Sequence, residues 1–352
     1  MAIPEVLERL LSAPGPSGQE TLASEVWREA AASFGTVEND VLGSSWVRVP
    51  GTGDGLSLAV VGHIDEISAV VTHAGDDGLF AVRALGGWDP HVFLGQRVEV
   101  LTRSGRIPGV MTSRRQKRRR GEERKPLEHS DLFLDIGAKD GEEARSLVRA
   151  GDTAVIAGAP LELRNDRVAS RSLDNRIGCY VALEVARRVA TGGGAPGDVV
   201  GLAVVQEEVG DFAGSRTTAW AVEPDVAIAV DVTHATDVRG GDPEEDGEHK
   251  LGSGPALMRG PSLHPGVFDL LHETAEAEKI GRTIEVSFGQ TSTDADAVYL
   301  SHRGVATGLV SVPLRYMHSP VEVVQLDDIE AAIALLVAFA KGLSRDRLQL
   351  PR

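Results

Sequence analysis

A single cysteine, Cys179, stands among 352 residues, so no intrachain disulfide can form and a reducing compartment is expected. It lies between Gly178 and Tyr180 in a helical stretch, which points to a packed core thiol rather than a nucleophile. Aromatic residues are scarce at 4%, leaving few platforms for stacking sugars or bases. No apolar run reaches the roughly 18 residues that a membrane span needs. The start, Met1-Ala2-Ile3-Pro4-Glu5, lacks the basic and then apolar pattern of a secretory signal. A cytoplasmic protein with no membrane partner is therefore expected. Positive charge is also short: 36 Lys and Arg face 52 Asp and Glu, a formal charge of −16 that argues against general nucleic-acid binding. Gly192-Gly193-Gly194 has no Lys-Ser/Thr after it, which excludes a phosphate loop there.

What the chain does have is apolar bulk, 42% of residues, together with 40 glycines. Such a chain must pack Ala, Val and Leu closely, as layered α/β proteins do. Buried strands are expected at 56–61, closed by Gly62-His63, at 199–206, at 226–230 ending on Asp231, and at 305–312. Helices are expected at 5–11, 19–34, 174–190, 265–279 and 327–343; Ile177, Val181, Val185 and Val189 give one of them its apolar stripe. Apolar strands alternating with helices predict an α/β fold, a mixed sheet covered by helices on both faces. Residues 68–162 read differently. Short half-buried strands such as Gln96–Leu101 and turns such as Gly86-Gly87 predict a small β-rich, barrel-like domain. It is inserted into a main domain made of 1–67 and 163–352. Within it, Arg114 to Arg120 is a basic run, expected to be a solvated loop, with an anionic-partner patch as the rival reading.

Five residues of metal-ligand type stand at or beside the ends of predicted strands: His63, Asp174, Glu208, Asp231 and His318. Each has a bland alternative. His63 could be a structural histidine, Asp174 a helix cap, Glu207-Glu208 a pair of surface acids. Their convergence on one sheet edge favours ligation, because α/β sheets bind ligands outside the carboxyl ends of their strands. Imidazoles with carboxylates suit two divalent ions of zinc, cobalt or manganese better than a thiolate-rich structural site. Asp65, two residues past His63, could orient the imidazole. Adjacent Glu207 and Glu208 alternate in direction along an extended segment, so one can ligate while the other faces water.

The segments Gly62-His63-Ile64-Asp65-Glu66-Ile67, Leu173-Asp174-Asn175-Arg176-Ile177-Gly178, Val205-Gln206-Glu207-Glu208-Val209-Gly210, Asp231-Val232-Thr233-His234-Ala235-Thr236-Asp237, Thr293-Asp294-Ala295 and Arg315–Glu322 follow one another in order. Together they resemble the metallo-aminopeptidase family of the glutamyl aminopeptidases and the hollow tetrahedral aminopeptidases. The resemblance implies that His63 and Asp231 hold one metal, Glu208 and His318 the other, and that Asp174 bridges them. It implies Glu207 as general base and Asp65 as the residue orienting His63, acting on peptides with free N-termini. It also implies homo-oligomers, dimers to dodecamers, with the inserted domain contributing contacts. Thr293 and Asp294 are candidates for substrate binding. Two departures stand out: Ser68 where glycine is common, and Asn175 where a second aspartate is frequent. The rival functions are an endoglucanase-type or deacylase hydrolase and a non-catalytic scaffold. A glycosidase would use two carboxylates without metal, which leaves the two histidines unexplained.

Overall fold

The computed structural model describes residues 2–114 and 125–348, so all of the basic run beyond Arg114 lies outside the described residues. Three strands, β1 (Thr36–Asn39), β2 (Ser45–Val49) and β3 (Leu58–His63), begin the main sheet. Six more follow: β4 (Ser68–Ala74), β5 (Phe80–Leu85), β6 (Arg97–Thr102), β7 (Gly105–Ser113), β8 (Leu132–Asp135) and β9 (Thr153–Ile156). These close into a barrel in the order β4-β5-β8-β7-β6-β9. The chain returns through β10 (Leu161–Leu163) and β11 (Arg167–Ser170). Then β12 (Val199–Val204), β13 (Val226–His234), β14 (Ala256–Arg259), β15 (Thr283–Val286) and β16 (Ala306–Leu314) complete an eight-stranded sheet. The last strand, β17 (Glu322–Gln325), pairs with β11 in a small three-stranded sheet.

The main sheet has the order β1-β2-β12-β3-β13-β16-β14-β15. Its centre, β12, β3, β13 and β16, is parallel, while β2 runs against both its neighbours and the parallel pair β14-β15 runs against β16, which makes the sheet mixed. The chain leaves β3 for β12 on one side and later returns to β13 on the other. That reversal opens a crevice at the carboxyl ends of the three strands.

Both faces of the central strands are buried, which is why they read as continuous apolar runs. Leu58 and Val60 join the core built around the helix Leu173–Thr191, with Ile177, Val181 and Val185. Ala59 and Val61 point the other way, to a second core closed by the helix Ala213–Val222. Each such buried Leu, Ile or Val side chain contributes about 1.5–3 kcal/mol. The barrel has its own core of Phe80, Trp88, Phe93, Val98, Met111 and Leu134. Cys179 is fully buried and burial pushes its thiol up, so it is a core residue. The strand ends differ from the sequence reading: β3 runs from Leu58 to His63, β12 stops at Val204 before Glu207, and β13 and β16 continue together to His234 and Leu314 because their ladder runs on. Among the described residues no helix is long and apolar enough to cross a membrane.

Candidate active site

The site is assembled by four central strands and the loops that leave them. His63 is the last residue of β3. Its imidazole meets the start of the helix Leu173–Thr191 because Gly62 and Gly178 let strand and helix touch: a Cβ built on Gly62 would lie 2.2 Å from the Gly178 carbonyl carbon. Asp174 and Asn175 are not yet helical there, and the peptide between them is cis. Asn175 is fully buried and donates from Nδ2 to the Val230 carbonyl at 2.8 Å, tying this segment to β13 beside Asp231.

The two oxygens of Asp174 face two different histidines. Oδ1 lies 3.2 Å from His63 Nε2, and Oδ2 lies 3.3 Å from His318 Nε2. His318 Nε2 is also 3.4 Å from Glu208 Oε2, and His63 Nε2 is 3.7 Å from Glu207 Oε2. Ligand atoms of His63, Asp174 and Asp231 lie within 4.8 Å of one another, as do those of Asp174, Glu208 and His318. Two trios thus share Asp174, and Glu207 lines the same crevice as both. The residues lining that crevice enclose about 460 Å³.

Electrostatics favour a cation here. Burial, together with Asp231, Asp294 and Asp174, pushes Glu207 up to about 10. Burial, with Asp174 and Asp294, pushes Asp231 up to about 8. Burial disfavours a charged His63, yet Glu207, Asp174 and Asp65 raise it well above an ordinary imidazole. Glu208 Oε1 is buried with no hydrogen-bond partner among the described residues. Neither Lys nor Arg lines the crevice among those residues. An orphaned acceptor within a group of mutually repelling acids is what a divalent ion discharges, and the donor set of imidazole and carboxylate fits zinc, cobalt or manganese.

Two carboxylates hold the cluster from behind. Asp65 is fully buried and accepts from the amides of Glu207 at 3.0 Å and Glu208 at 3.1 Å, and from Ser17 Oγ at 2.7 Å. Its contact with His63 Nδ1 is longer, 3.4 Å. Burial would raise its pKa, but His63, Ser17 and the Glu207 amide overcome that and keep it below the usual range. Glu322 does the same for the other side, accepting from the amides of Asp174 at 3.2 Å and His318 at 3.0 Å. The sequence reading gave Glu322 no role; the signal was one acid set into the apolar run Val321-Glu322-Val323-Val324. Left-handed backbone at non-glycine residues recurs beside the ligands, at Ser172, Gln206 and His318 itself, and each such residue costs of order 1–3 kcal/mol.

The remaining candidates separate. Thr293 lines the crevice, whereas Asp294 lies behind the wall, 1% exposed and bonded to Ser215 Oγ. Gly87, from the turn after β5, brings the barrel to the crevice rim beside His318. Arg176 is fully buried. It binds Glu66 at 3.2 Å and the Leu10 and Ala13 carbonyls.

A family model described as M42 glutamyl aminopeptidase matches residues 43–335. The lysyl aminopeptidase of Pyrococcus furiosus is 31% identical, over 96% of this chain and 97% of that protein. Among solved structures, an aminopeptidase from the archaeon Desulfurococcus kamchatkensis is 35% identical with a TM-score of 0.90, covering 98% of this chain and 96% of that one. The TET1 peptidase of Pyrococcus horikoshii, which can assemble into a tetrahedron or a large octahedral shell, is 30% identical with a TM-score of 0.85, covering 96% and 99%.

Proposed function

This chain belongs to the M42 glutamyl aminopeptidase family and is an aminopeptidase, and we propose that it works through two divalent ions sharing Asp174, with Glu207 as general base. His63 and Asp231 would hold one ion, and Glu208 and His318 the other. The observation that carries this reading is the division of the Asp174 carboxylate between two histidines, at 3.2 Å and 3.3 Å. When bound, zinc, cobalt or manganese ions at such a site supply Lewis acidity to the scissile carbonyl and acidify water.

The chain's own residues do the rest. Glu207 faces the crevice, accepts the proton of the attacking water on a carboxylate oxygen and returns it to the leaving amine. Asp65 orients His63 and holds both glutamates through their amides. Thr293 contacts the substrate from the crevice wall, and Asp294 positions it from behind. Residues 1–67 and 163–352 form the catalytic unit, and 68–162 contributes to self-association, from dimers up to dodecamers. Support for assembly comes from the TET1 relative, and support for a cytoplasmic location from the single buried cysteine.

The test is hydrolysis of aminoacyl chromogenic substrates by protein stripped with a chelator and reloaded with each metal in turn. Activity should vanish on stripping, return on reloading, and spare N-acetylated substrates. Turnover indifferent to metal removal sinks the metal-centred reading. Cleavage of acetylated peptides favours a deacylase, reducing-sugar release in chelator an endoglucanase, and purified protein that binds no metal a scaffold.

A further inference from the structure

We propose that the crevice selects peptides whose N-terminal residue carries a cationic head on a long aliphatic stem, lysine or arginine, and that Glu285 is the specificity-determining residue that reads the charge. The inference rests on the aminopeptidase reading above and names its substrate class.

Beyond the metal-type cluster, the crevice walls include Met258, Met317, Phe212 and Val232. Among the described lining residues outside that cluster, Glu285 is the one carboxylate, and none is Lys or Arg. Glu285 sits on β15 and reaches to β13, where Thr233 Oγ1 donates to its Oε1 at 2.8 Å. Thr233 lies two residues beyond Asp231 on the same strand and hence on the same face, a separation of about 7 Å. A four-carbon side chain spans that gap from a scissile bond held at the cluster.

The other oxygen, Oε2, is buried and has no partner among the described residues. No Lys or Arg lines the crevice around it among the described residues, and burial, with Asp246 nearby, pushes the carboxyl up to about 7. An unmatched buried acceptor is costly, and an ammonium or guanidinium supplies the missing charge-assisted bond. The methylene stem lies against thioether and aromatic walls that tolerate varied shapes. An acidic N-terminal residue would set a second carboxylate against Glu285, and a neutral one would leave it unmatched. The order of preference is therefore basic, then neutral, then acidic.

The experiment uses the full-length, metal-reloaded protein and the p-nitroanilides of lysine, norleucine and glutamate. Norleucine shares the stem of lysine and lacks its charge. The kcat/KM for lysine should exceed that for norleucine by about 10- to 100-fold, with glutamate lowest. Glu285→Gln should erase the lysine advantage, bringing the lysine-to-norleucine ratio of kcat/KM close to one, mainly through a higher KM for lysine. Calorimetric binding of free L-lysine against free L-norleucine should give the same order without turnover, which keeps the inference decidable if the variant does not fold. Equal rates and equal binding for lysine and norleucine, a preference for glutamate, or a lysine preference that survives Glu285→Gln each overturn the inference while leaving the aminopeptidase reading intact. No hydrolysis of any of the three by the metal-loaded protein overturns that reading and this inference together.

Discussion

Asp65 and Glu322 are buried, do not line the crevice, and still fix its shape by holding two backbone amides each. Removing a residue that faces the reaction and removing one that holds the ligands should therefore fail in different ways. Glu207→Gln keeps the size and polarity of the side chain but abolishes the base. It should retain its metal content by elemental analysis and lose about 10²- to 10⁴-fold in kcat. Near-normal turnover would remove Glu207 from the chemistry. Glu322→Gln leaves one oxygen to accept and sets an NH₂ against the second backbone amide. The loops of Asp174 and His318 should lose definition, raising the Kd for metal by about 10- to 100-fold in a chelator competition. Unchanged metal affinity would show that Glu322 is only a core acid.

Between elements, distance is set by glycine and direction by ion pairs. Gly62→Ala would place a methyl 2.2 Å from the Gly178 carbonyl carbon and 2.4 Å from the Cys179 nitrogen, backbone that cannot rotate aside. We expect about 1–3 kcal/mol of lost stability in chemical denaturation, with weakened metal binding as His63 moves from Asp174. An unchanged midpoint would mean that the helix slides freely on β3. The loop bearing His318 is pinned to the end of β13 by Arg315, whose Nε and Nη2 contact Asp237 at 3.0 Å and 2.5 Å. Partial burial would raise the Asp237 carboxyl, but Arg315 prevails and holds it below the ordinary range. The folded pKa is thus depressed, so the stabilisation is present at neutral pH and fades as pH falls through the folded value. Asp237→Asn should cost of the order of 1 kcal/mol at pH 7, since water screens the pair, and the difference from wild type should shrink below about pH 4. A difference that stays constant with pH would discount the charge. Element by element, the chain was readable where burial is two-sided. Leu58–His63 and Val226–Asp231 show themselves as apolar runs closed by a polar residue. The last two strands of the sheet, β14 and β15, did not, being only four residues long and interrupted by polar side chains. The role of Glu285 was hidden altogether, because its bond to Thr233 joins residues 52 positions apart. Ligand-type residues were readable as chemistry at strand ends; their holders, such as Glu322 and Asn175, serve through backbone contacts that no motif announces.

Across the whole molecule, the crevice lies where the main domain's carboxyl edge meets the barrel at Gly87, and each side has an independent apolar core. The main-domain side concentrates Asp174, Glu207, Glu208 and Asp231, offset by His63 and His318 and with no Lys or Arg lining the crevice among the described residues, so bound cations would relieve the self-repulsion that remains. The barrel core of Phe80, Phe93, Met111 and Leu134 owes nothing to that balance. Metal should accordingly stabilise the molecule unevenly. Binding at a thousandfold excess over Kd adds about 4 kcal/mol per site, enough for a Tm shift of several degrees. Chelation should lower Tm by that amount, and hydrogen exchange should rise first at Glu207, Glu208, Asp174 and His318, whose amides are held by Asp65 and Glu322, while β4 to β9 keep their protection. A chelated protein with unchanged Tm, or one that loses protection equally in barrel and crevice, would mean that the acid cluster is balanced by the fold itself, and the case for resident metal would fall with it.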